Sequence, residues 1–272
     1  MTSEQDSTTI DRVYERITGD EDEARVCRDI PDEACEELPR SCVLNVLNGV
    51  STKLAEQLAS PGLVLPWLLG SIGAPAALTG WLVPVRRAGS LLPQLLVAGT
   101  LRQLPQRKWA WAGAGAVQGI TLFGMALLAA IASPTVAGVG IVLLLAVFSL
   151  ASGIGSVAFS DVVGKTIPRG RRGRMLAFRA FIGGALATGA GLLLRQVVDD
   201  DTGLAPFIIL IISAAVLWLI GSALFAAIPE HTGATEGGEN AIHRAIEGLR
   251  YLRSDRALRR FVIVYALLTS IE

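Results

Sequence analysis

The stretch that decides the fold is residues 109–160, WAWAGAGAVQGITLFGMALLAAIASPTVAGVGIVLLLAVFSLASGIGSVAFS, which spans 52 residues without one Asp, Glu, Lys or Arg. A bilayer crossing needs only about 20 apolar residues, so this run is too long for one span. Ser133-Pro134 interrupts it near its middle. The stretch therefore predicts two membrane-spanning helices joined by a short turn.

The composition of the whole chain also indicates a membrane protein. Of its 272 residues, 51% are hydrophobic and 18% are charged, and the mean hydropathy is +0.51. Basic and acidic residues number 24 each, but residues 1–43 hold 13 of the acids. The net charge of zero therefore adds together regions that lie in different compartments, and it indicates nothing about partners. Basic residues lie in short loops rather than on one soluble face, which excludes nucleic acid as a partner.

Two further spans are clear at 175–195 and 205–228, but the region 44–101 allows two interpretations. Hydropathy alone favours one span, 61–85, ended by Arg86-Arg87. The alternative is two spans, 44–69 and 75–101, joined by a turn rich in Gly and Pro. Length favours two spans, since 58 residues suit two crossings better than one.

With two spans, the chain divides into four parts. These are an acidic N-terminal tail at 1–43, a six-helix bundle at 44–228, a basic loop at 229–260, and the start of a truncated seventh span at 261–272. The predicted fold is an all-α polytopic membrane protein. Its six spans are 44–69, 75–101, 109–132, 137–159, 175–195 and 205–228.

The distribution of basic residues predicts the orientation of the bundle. The segments 102–108, 160–174 and 229–260 together hold 14 Lys and Arg, whereas the intervening loops hold none. Because loops rich in Lys and Arg stay on the cytoplasmic side, we expect an integral protein of the cytoplasmic membrane with its N-terminus inside.

Six spans followed by a long basic loop and another span resemble the first half of a major facilitator superfamily (MFS) transporter. The loop between spans two and three carries that family's motif, G-x-x-x-D-R-x-G-R-[RK]. Here Gly99, Arg107 and Lys108 match it, while Gln103, Leu104 and Gln106 depart from its Asp, Arg and Gly. The stretches 64–75 and 83–94 resemble an uncharacterised permease subgroup of the superfamily.

Glu56 and Arg86 are the strongest candidates for a functional site. With two spans, each lies near the middle of its helix, and ionisable groups at that depth mark transport sites. Arg86 could pair with Glu56 as a gate or bind an anionic substrate, and Glu56 could carry a coupling proton. A static ion pair that joins two helices is an equally good explanation.

The remaining candidates are weaker. Arg87 adjoins Arg86, and Asn48 belongs to a polar stripe that leads to Glu56. Gln94 and Gln118 could line a cavity, although membrane amides more often form hydrogen bonds between helices. Under the single-span alternative, Arg86 and Arg87 would be cytoplasmic anchors and the site would vanish.

The resemblance implies a secondary transporter that moves a small solute by rocking one six-helix half against a second, C-terminal half. Its partners would be the solute, the lipid bilayer and that second half. No cofactor is expected beyond a coupling proton or sodium ion. The alternative is a non-transporting membrane scaffold whose acidic tail recruits a partner. A transporter half should enclose a polar cavity lined by spans one, two, four and five, whereas a scaffold should be packed solidly.

Neither an enzyme nor a metal site is predicted. No nucleophile lies beside a base, and His231 and His243 both fall in the basic loop. Cys27, Cys35 and Cys42 lie in the tail without a nearby His, and we expect free thiols. The apolar face made by Ile10, Val13, Tyr14 and Ile17 is predicted either to dock on the bundle or membrane, or to stay solvated.

Overall fold

The computed structural model describes residues 10, 12, 14, 32–197, 203–232, 255–260 and 264. Most of these residues lie in eight helices, which we number in chain order. They are α1 (Asp32–Glu36), α2 (Leu38–Leu58), α3 (Val64–Ser71), α4 (Ala76–Arg102), α5 (Lys108–Ile131), α6 (Pro134–Thr166), α7 (Arg169–Val197) and α8 (Ala205–Ala226). The predicted all-α class is thus confirmed for the described part of the chain.

Four of the described helices are long and apolar enough to cross a membrane: α5, α6, α8 and residues 169–192 of α7. They include the two helices predicted from the uncharged stretch, and Pro134 begins the second of them. Helix α6 has 33 residues, or about 50 Å at 1.5 Å per residue, so it extends beyond a hydrocarbon core of about 30 Å. The chain is therefore a helical membrane protein.

The region that the sequence left ambiguous forms three helices. α2 ends at Leu58, and α3 begins after Pro61-Gly62. α3 is followed by a turn in which Gly73 has φ +72°, a conformation that costs glycine little. α4 then runs without interruption through Arg86 to Arg102. No single helix from 61 to 85 exists, because the turn at Gly73 divides that range.

The long helices pack as a row of neighbours. In spatial order they are α7, α2, α8, α5, α6 and α4. The core of the row is aromatic: Trp111 of α5 stacks on Phe225 of α8 at 4.2 Å, and Phe148 of α6 meets Trp218 of α8 edge-on at 5.6 Å. α4 and α7 stand at the two ends of the row, and both expose large apolar side chains such as Trp81 and Phe181.

Glycine allows α4 to approach α6 closely. A Cβ on Gly153 would overlap the backbone oxygen of Ser90, and a Cβ on Gly89 would lie 2.7 Å from Cβ of Ser149. Helices in membranes use such small residues to bring their backbones together. This contact fixes the segment of α4 that carries Arg86 against α6.

Part of the acidic tail docks on the bundle. Tyr14 is buried, its hydroxyl is hydrogen-bonded to Arg171 at the start of α7, and its ring packs in one cluster with Leu38 and Met175. Docking was one of the two alternatives for the tail. The expectation of free thiols is wrong for Cys35, which is disulfide-bonded, whereas Cys42 is free and buried. Most of 229–272 lies outside the described residues.

Candidate functional site

Glu56 and Arg86 meet in the interior of the bundle, between α2 and α4. Nη2 of Arg86 lies 3.6 Å from Oε1 of Glu56. Nζ of Lys53, one helical turn away on α2, donates a 2.8 Å hydrogen bond to Oε2 of Glu56. The Arg86 guanidinium also lies over the ring of Phe148, 5.1 Å from its centroid. One carboxylate therefore has two cationic neighbours.

Glu56, Arg86 and Phe148 border a cavity of about 220 Å³. It is lined by Glu56, Ala59 and Pro61 at the end of α2, Leu65 of α3, Arg86 of α4, Leu122 of α5, and Leu145 and Phe148 of α6. The lining thus comes from the predicted spans one to four. A transporter half was expected to enclose a polar cavity lined by spans one, two, four and five. Here six of the eight lining residues are apolar, and the third span contributes Leu122 where the fifth was expected.

Arg179 of α7 is a functional candidate that the sequence analysis missed. Gly49 of α2 makes room for it, because a Cβ there would overlap the Arg179 side chain. The Arg179 guanidinium lies 4.4 Å from the centroid of Phe159, and its Nη1 is buried without a hydrogen-bond partner among the described residues. Its position inside the predicted span 175–195 was a signal, since a charge within a span is costly unless it is functional or paired.

The polar stripe on α2 divides between two faces. Asn48 is fully buried and donates a 2.8 Å hydrogen bond to the backbone oxygen of Gly221 on α8. The Ser51 hydroxyl donates a 2.7 Å hydrogen bond to the backbone oxygen of Leu217, also on α8. Glu56 instead lines the cavity, and the exposed Lys53 is hydrogen-bonded to it. Asn48 therefore joins two helices in this structure and does not meet Glu56.

The other predicted site residues lie apart from the Glu56–Arg86 pair. Arg87 is exposed, on a different face of α4 from Arg86, and Gln94 is half-buried two turns further along α4. Gln118 of α5 is buried, one helical turn from the cavity-lining Leu122, and its Nε2 has no partner among the described residues. Of these three side chains, Gln118 is nearest to the cavity along its helix.

The predicted motif loop belongs to a second group of charges, at the end of the bundle where α4, α6 and α8 finish and α5 and α7 begin; we call it the basic end. Nη1 of Arg107 lies 3.4 Å from Oδ2 of Asp161 on α6. Lys108 donates its backbone N–H to Oε2 of Glu230 at 2.7 Å and its Nζ to the backbone oxygen of Ile228 at 2.9 Å. Half-buried Gly99 lies on the last turn of α4.

Glu230 holds the basic end together, and the sequence analysis missed it. Its side chain is fully buried, and Oε1 accepts a 2.9 Å hydrogen bond from Nζ of Lys165. Because Oε2 accepts the N–H at the start of α5, one carboxylate joins the ends of α5, α6 and α8. A capping carboxylate at a helix N-terminus is favourable. Glu230 lies in the segment 229–260, which was predicted as a loop, so the sequence gave no indication of its contacts.

Two of the residues that line the cavity are charged, Glu56 and Arg86. Among the described residues, no group of three His, Cys, Asp or Glu could hold a metal ion. The cavity lining offers one guanidinium and one carboxylate on apolar walls. Fold and site together define a helical membrane protein with a charged internal cavity. No family model matches the chain, and neither the curated proteins nor the solved structures gave a match.

Proposed function

We propose that this protein is a secondary transporter of the MFS type, located in the cytoplasmic membrane with its N-terminus inside, and that α2 to α8 correspond to the N-terminal half. The observation that carries the proposal is the Glu56–Arg86 pair on the wall of a cavity within an apolar bundle. Burying charges in a membrane protein is costly, and such groups are retained mainly where they serve transport.

The pair is suited to opening and closing. Nη2 of Arg86 and Oε1 of Glu56 are 3.6 Å apart, and Glu56 has Lys53 as a second partner. The side chains of Arg86 and Glu56 are 21% and 34% exposed. Because Glu56 can exchange one cation for the other, the link between α2 and α4 can break without leaving a bare carboxylate. Movement of α4 relative to α2 would open the cavity, and a proton or sodium ion at Glu56 would couple that movement to an ion gradient.

The exposed helices are consistent with a partner half. Only 11% of the most apolar 18-residue segment of α7 is buried, and α4 exposes Trp81 and Leu91. In the proposed arrangement, these two helices face the second half of the transporter and the remaining helices face lipid. The basic end would lie in the cytoplasm, where Asp161 supplies Arg107 with the carboxylate that the motif loop lacks.

Alternating access can be tested with a single cysteine on the cavity wall. We expect Ala59→Cys, in the full chain with the native cysteines replaced by Ser, to react with an impermeant thiol reagent in both right-side-out and inside-out vesicles. Ile72→Cys, in the turn between α3 and α4, is the matched control and should react from one side only. The vesicles must also remain impermeable to the reagent. An open pore would let the reagent through, whereas alternating access would not.

Reaction of Ala59→Cys from one side only would overturn the proposal and favour the non-transporting scaffold. Reaction from both sides, with a rate on each side that Glu56→Gln changes, would support it. The natural next step is uptake by proteoliposomes that contain the full chain. Solutes that accumulate with the native protein but not with Glu56→Gln are then substrate candidates.

A further inference from the structure

We infer that the cavity binds a small zwitterion, with its carboxylate on Arg86 and its ammonium on Glu56. This inference rests on the proposed function and names the substrate class for the same site. Arg86 and Glu56 are the two charged residues of the lining, so the wall of the cavity holds one positive and one negative group. A solute that carries one charge of each sign matches that wall.

The Glu56–Arg86 pair retains unused hydrogen-bonding capacity. Nη2 of Arg86 and Oε1 of Glu56 are 3.6 Å apart, which is longer than the roughly 2.7–3.2 Å of an N–H···O hydrogen bond. Among the described residues, Arg86 donates no hydrogen bond, and Lys53 is bonded to Oε2 of Glu56 rather than to Oε1. The guanidinium N–H groups and one carboxylate oxygen therefore remain available to a solute.

The short distance between Arg86 and Glu56 restricts where the solute carries its own charges. Because the two side chains face each other across 3.6 Å, a solute that meets both must have its ammonium and carboxylate close together. An α-amino acid has this arrangement, since both groups are attached to one carbon. The planar fork of arginine matches the two carboxylate oxygens, and the ammonium supplies the N–H donors that Oε1 of Glu56 lacks.

The end of α2 favours the ammonium on the Glu56 side of the cavity. α2 ends at Leu58, and Ala59 and Pro61, just beyond its end, line the cavity. The last carbonyl groups of a helix lack intrahelical partners and carry partial negative charge, and transporters use the ends of broken helices to hold cations. Pro61 has no N–H with which to satisfy such a carbonyl. The carboxylate of the solute is then left to Arg86 on α4.

The remaining lining residues indicate the side chain of the solute. The cavity volume of about 220 Å³ is smaller than the roughly 300–1,000 Å³ of pockets for drug-sized ligands. Apart from Glu56 and Arg86, the lining is apolar and includes Leu65, Leu122 and Leu145. Such walls suit a short hydrocarbon side chain and give no compensation for a third charge. The expected solute is therefore a small α-amino acid with an aliphatic side chain.

Binding can be measured as protection of a cysteine on the cavity wall. In detergent, where both ends of the bundle are open, L-leucine should slow the reaction of Ala59→Cys with the neutral reagent methyl methanethiosulfonate. The measurement uses the full chain with the native cysteines replaced by Ser, and it gives the concentration of each compound at half protection.

Three compounds matched to leucine separate the contributions of its two charges. 4-Methylpentanoate lacks the ammonium, and 3-methylbutylamine lacks the carboxylate. 6-Aminohexanoate is an isomer of leucine that keeps both charges but holds them far apart. Each should need at least about tenfold more for half protection than leucine, because it leaves a charged group of the site without a partner.

Substitutions assign each charge of the solute to one residue. Glu56→Gln should make leucine and 4-methylpentanoate protect equally, because the ammonium loses its partner. Arg86→Gln should make leucine and 3-methylbutylamine protect equally. Arg87→Gln is the matched control: it removes a guanidinium from the exposed face of α4 and should leave the preference for leucine within about twofold. A residue that only supports the fold would weaken protection by all four compounds alike.

A conservative variant covers the case in which Arg86→Gln does not elute as a single folded species. Arg86→Lys keeps the charge but loses the bidentate geometry. Leucine should then protect about tenfold more weakly, while its preference over 3-methylbutylamine persists.

The inference is overturned if neither L-leucine nor the smaller L-alanine protects Ala59→Cys, if 6-aminohexanoate protects as well as leucine, or if the leucine preference survives both substitutions. These outcomes are independent of the transport test. Labelling from both membrane sides without protection by an α-amino acid would retain the transporter and reject the zwitterion. Protection by leucine with labelling from one side only would retain the binding site and reject transport.

Discussion

At the basic end, Glu230 is fully buried and its carboxylate is saturated by the Lys108 N–H and the Lys165 ammonium. Inside the bundle, Glu56 is one-third exposed and shares its charge between Lys53 and Arg86, and Arg179 of α7 packs against Gly49, two turns earlier on α2. Both carboxylate oxygens of Glu230 have donors, and its side chain is closed to solvent. The group around Glu56 has an excess of cations and borders a cavity. The difference separates charges that maintain a structure from charges that, as we propose, serve transport.

Removal of Glu230 should have the largest effect on stability. Glu230→Gln loses the ion pair with Lys165 and weakens the cap on α5, so we expect a loss of about 3 kcal/mol in the free energy of unfolding. Unfolding of the purified protein in mixed micelles with increasing denaturing detergent measures it.

Glu37→Gln is the matched control for Glu230→Gln. Glu37 pairs with Arg40 at 3.7 Å on an exposed surface, so its loss should change the free energy of unfolding by less than about 0.5 kcal/mol. If the two substitutions destabilise the protein equally, Glu230 does not hold the basic end together.

A substitution between α4 and α6 tests whether the wall that carries Arg86 is rigid. Gly153→Ala places a methyl group against the backbone oxygen of Ser90, which cannot rotate away, so α4 must move. We expect a loss of about 2 kcal/mol in the free energy of unfolding and slower labelling of Ala59→Cys.

Gly184→Ala is the control for Gly153→Ala. Gly184 lies on an exposed face of α7, where an added methyl group would meet no neighbouring helix or side chain within 4 Å, so alanine should stabilise the helix by about 0.5–1 kcal/mol. Equal effects at the two glycines would show that α4 and α6 do not need the close approach.

Local sequence was enough to predict the long helices. The uncharged run at 109–160 and Pro134 indicated α5 and α6, and Gly73 indicated the turn before α4, because length and turn chemistry act along the chain. The disulfide at Cys35 had no such local signal. The break between α2 and α3 at Pro61-Gly62 was missed, since the hydropathy there is continuous.

Only part of the site could be predicted from the sequence, because the contacts of a side chain depend on neighbouring helices. Glu56 and Arg86 were found because a charge at mid-span is costly wherever it points. Which way a polar residue points depends on the neighbouring helix: Asn48 faces α8, while Glu56 faces the cavity. Arg179 lay inside a predicted span and could have been noticed, but the role of Glu230 depends on its contact with the start of α5, a distant part of the chain. No pattern within one segment carries that information.

Apart from the control variants, Glu56→Gln should have the smallest effect on stability, although it removes the carboxylate at the centre of the site. Glu56 is one-third exposed and its cations can remain solvated in the cavity, so we expect a change below about 1 kcal/mol in the same micelle titration. The reaction of Ala59→Cys with an anionic methanethiosulfonate reagent should become faster, because the cations Lys53 and Arg86 lose their counter-charge. A loss as large as that of Glu230→Gln, with no change in reaction rate, would contradict the distinction between the two groups. Glu56 would then be a static link between α2 and α4, and the cavity would be a packing defect beside it.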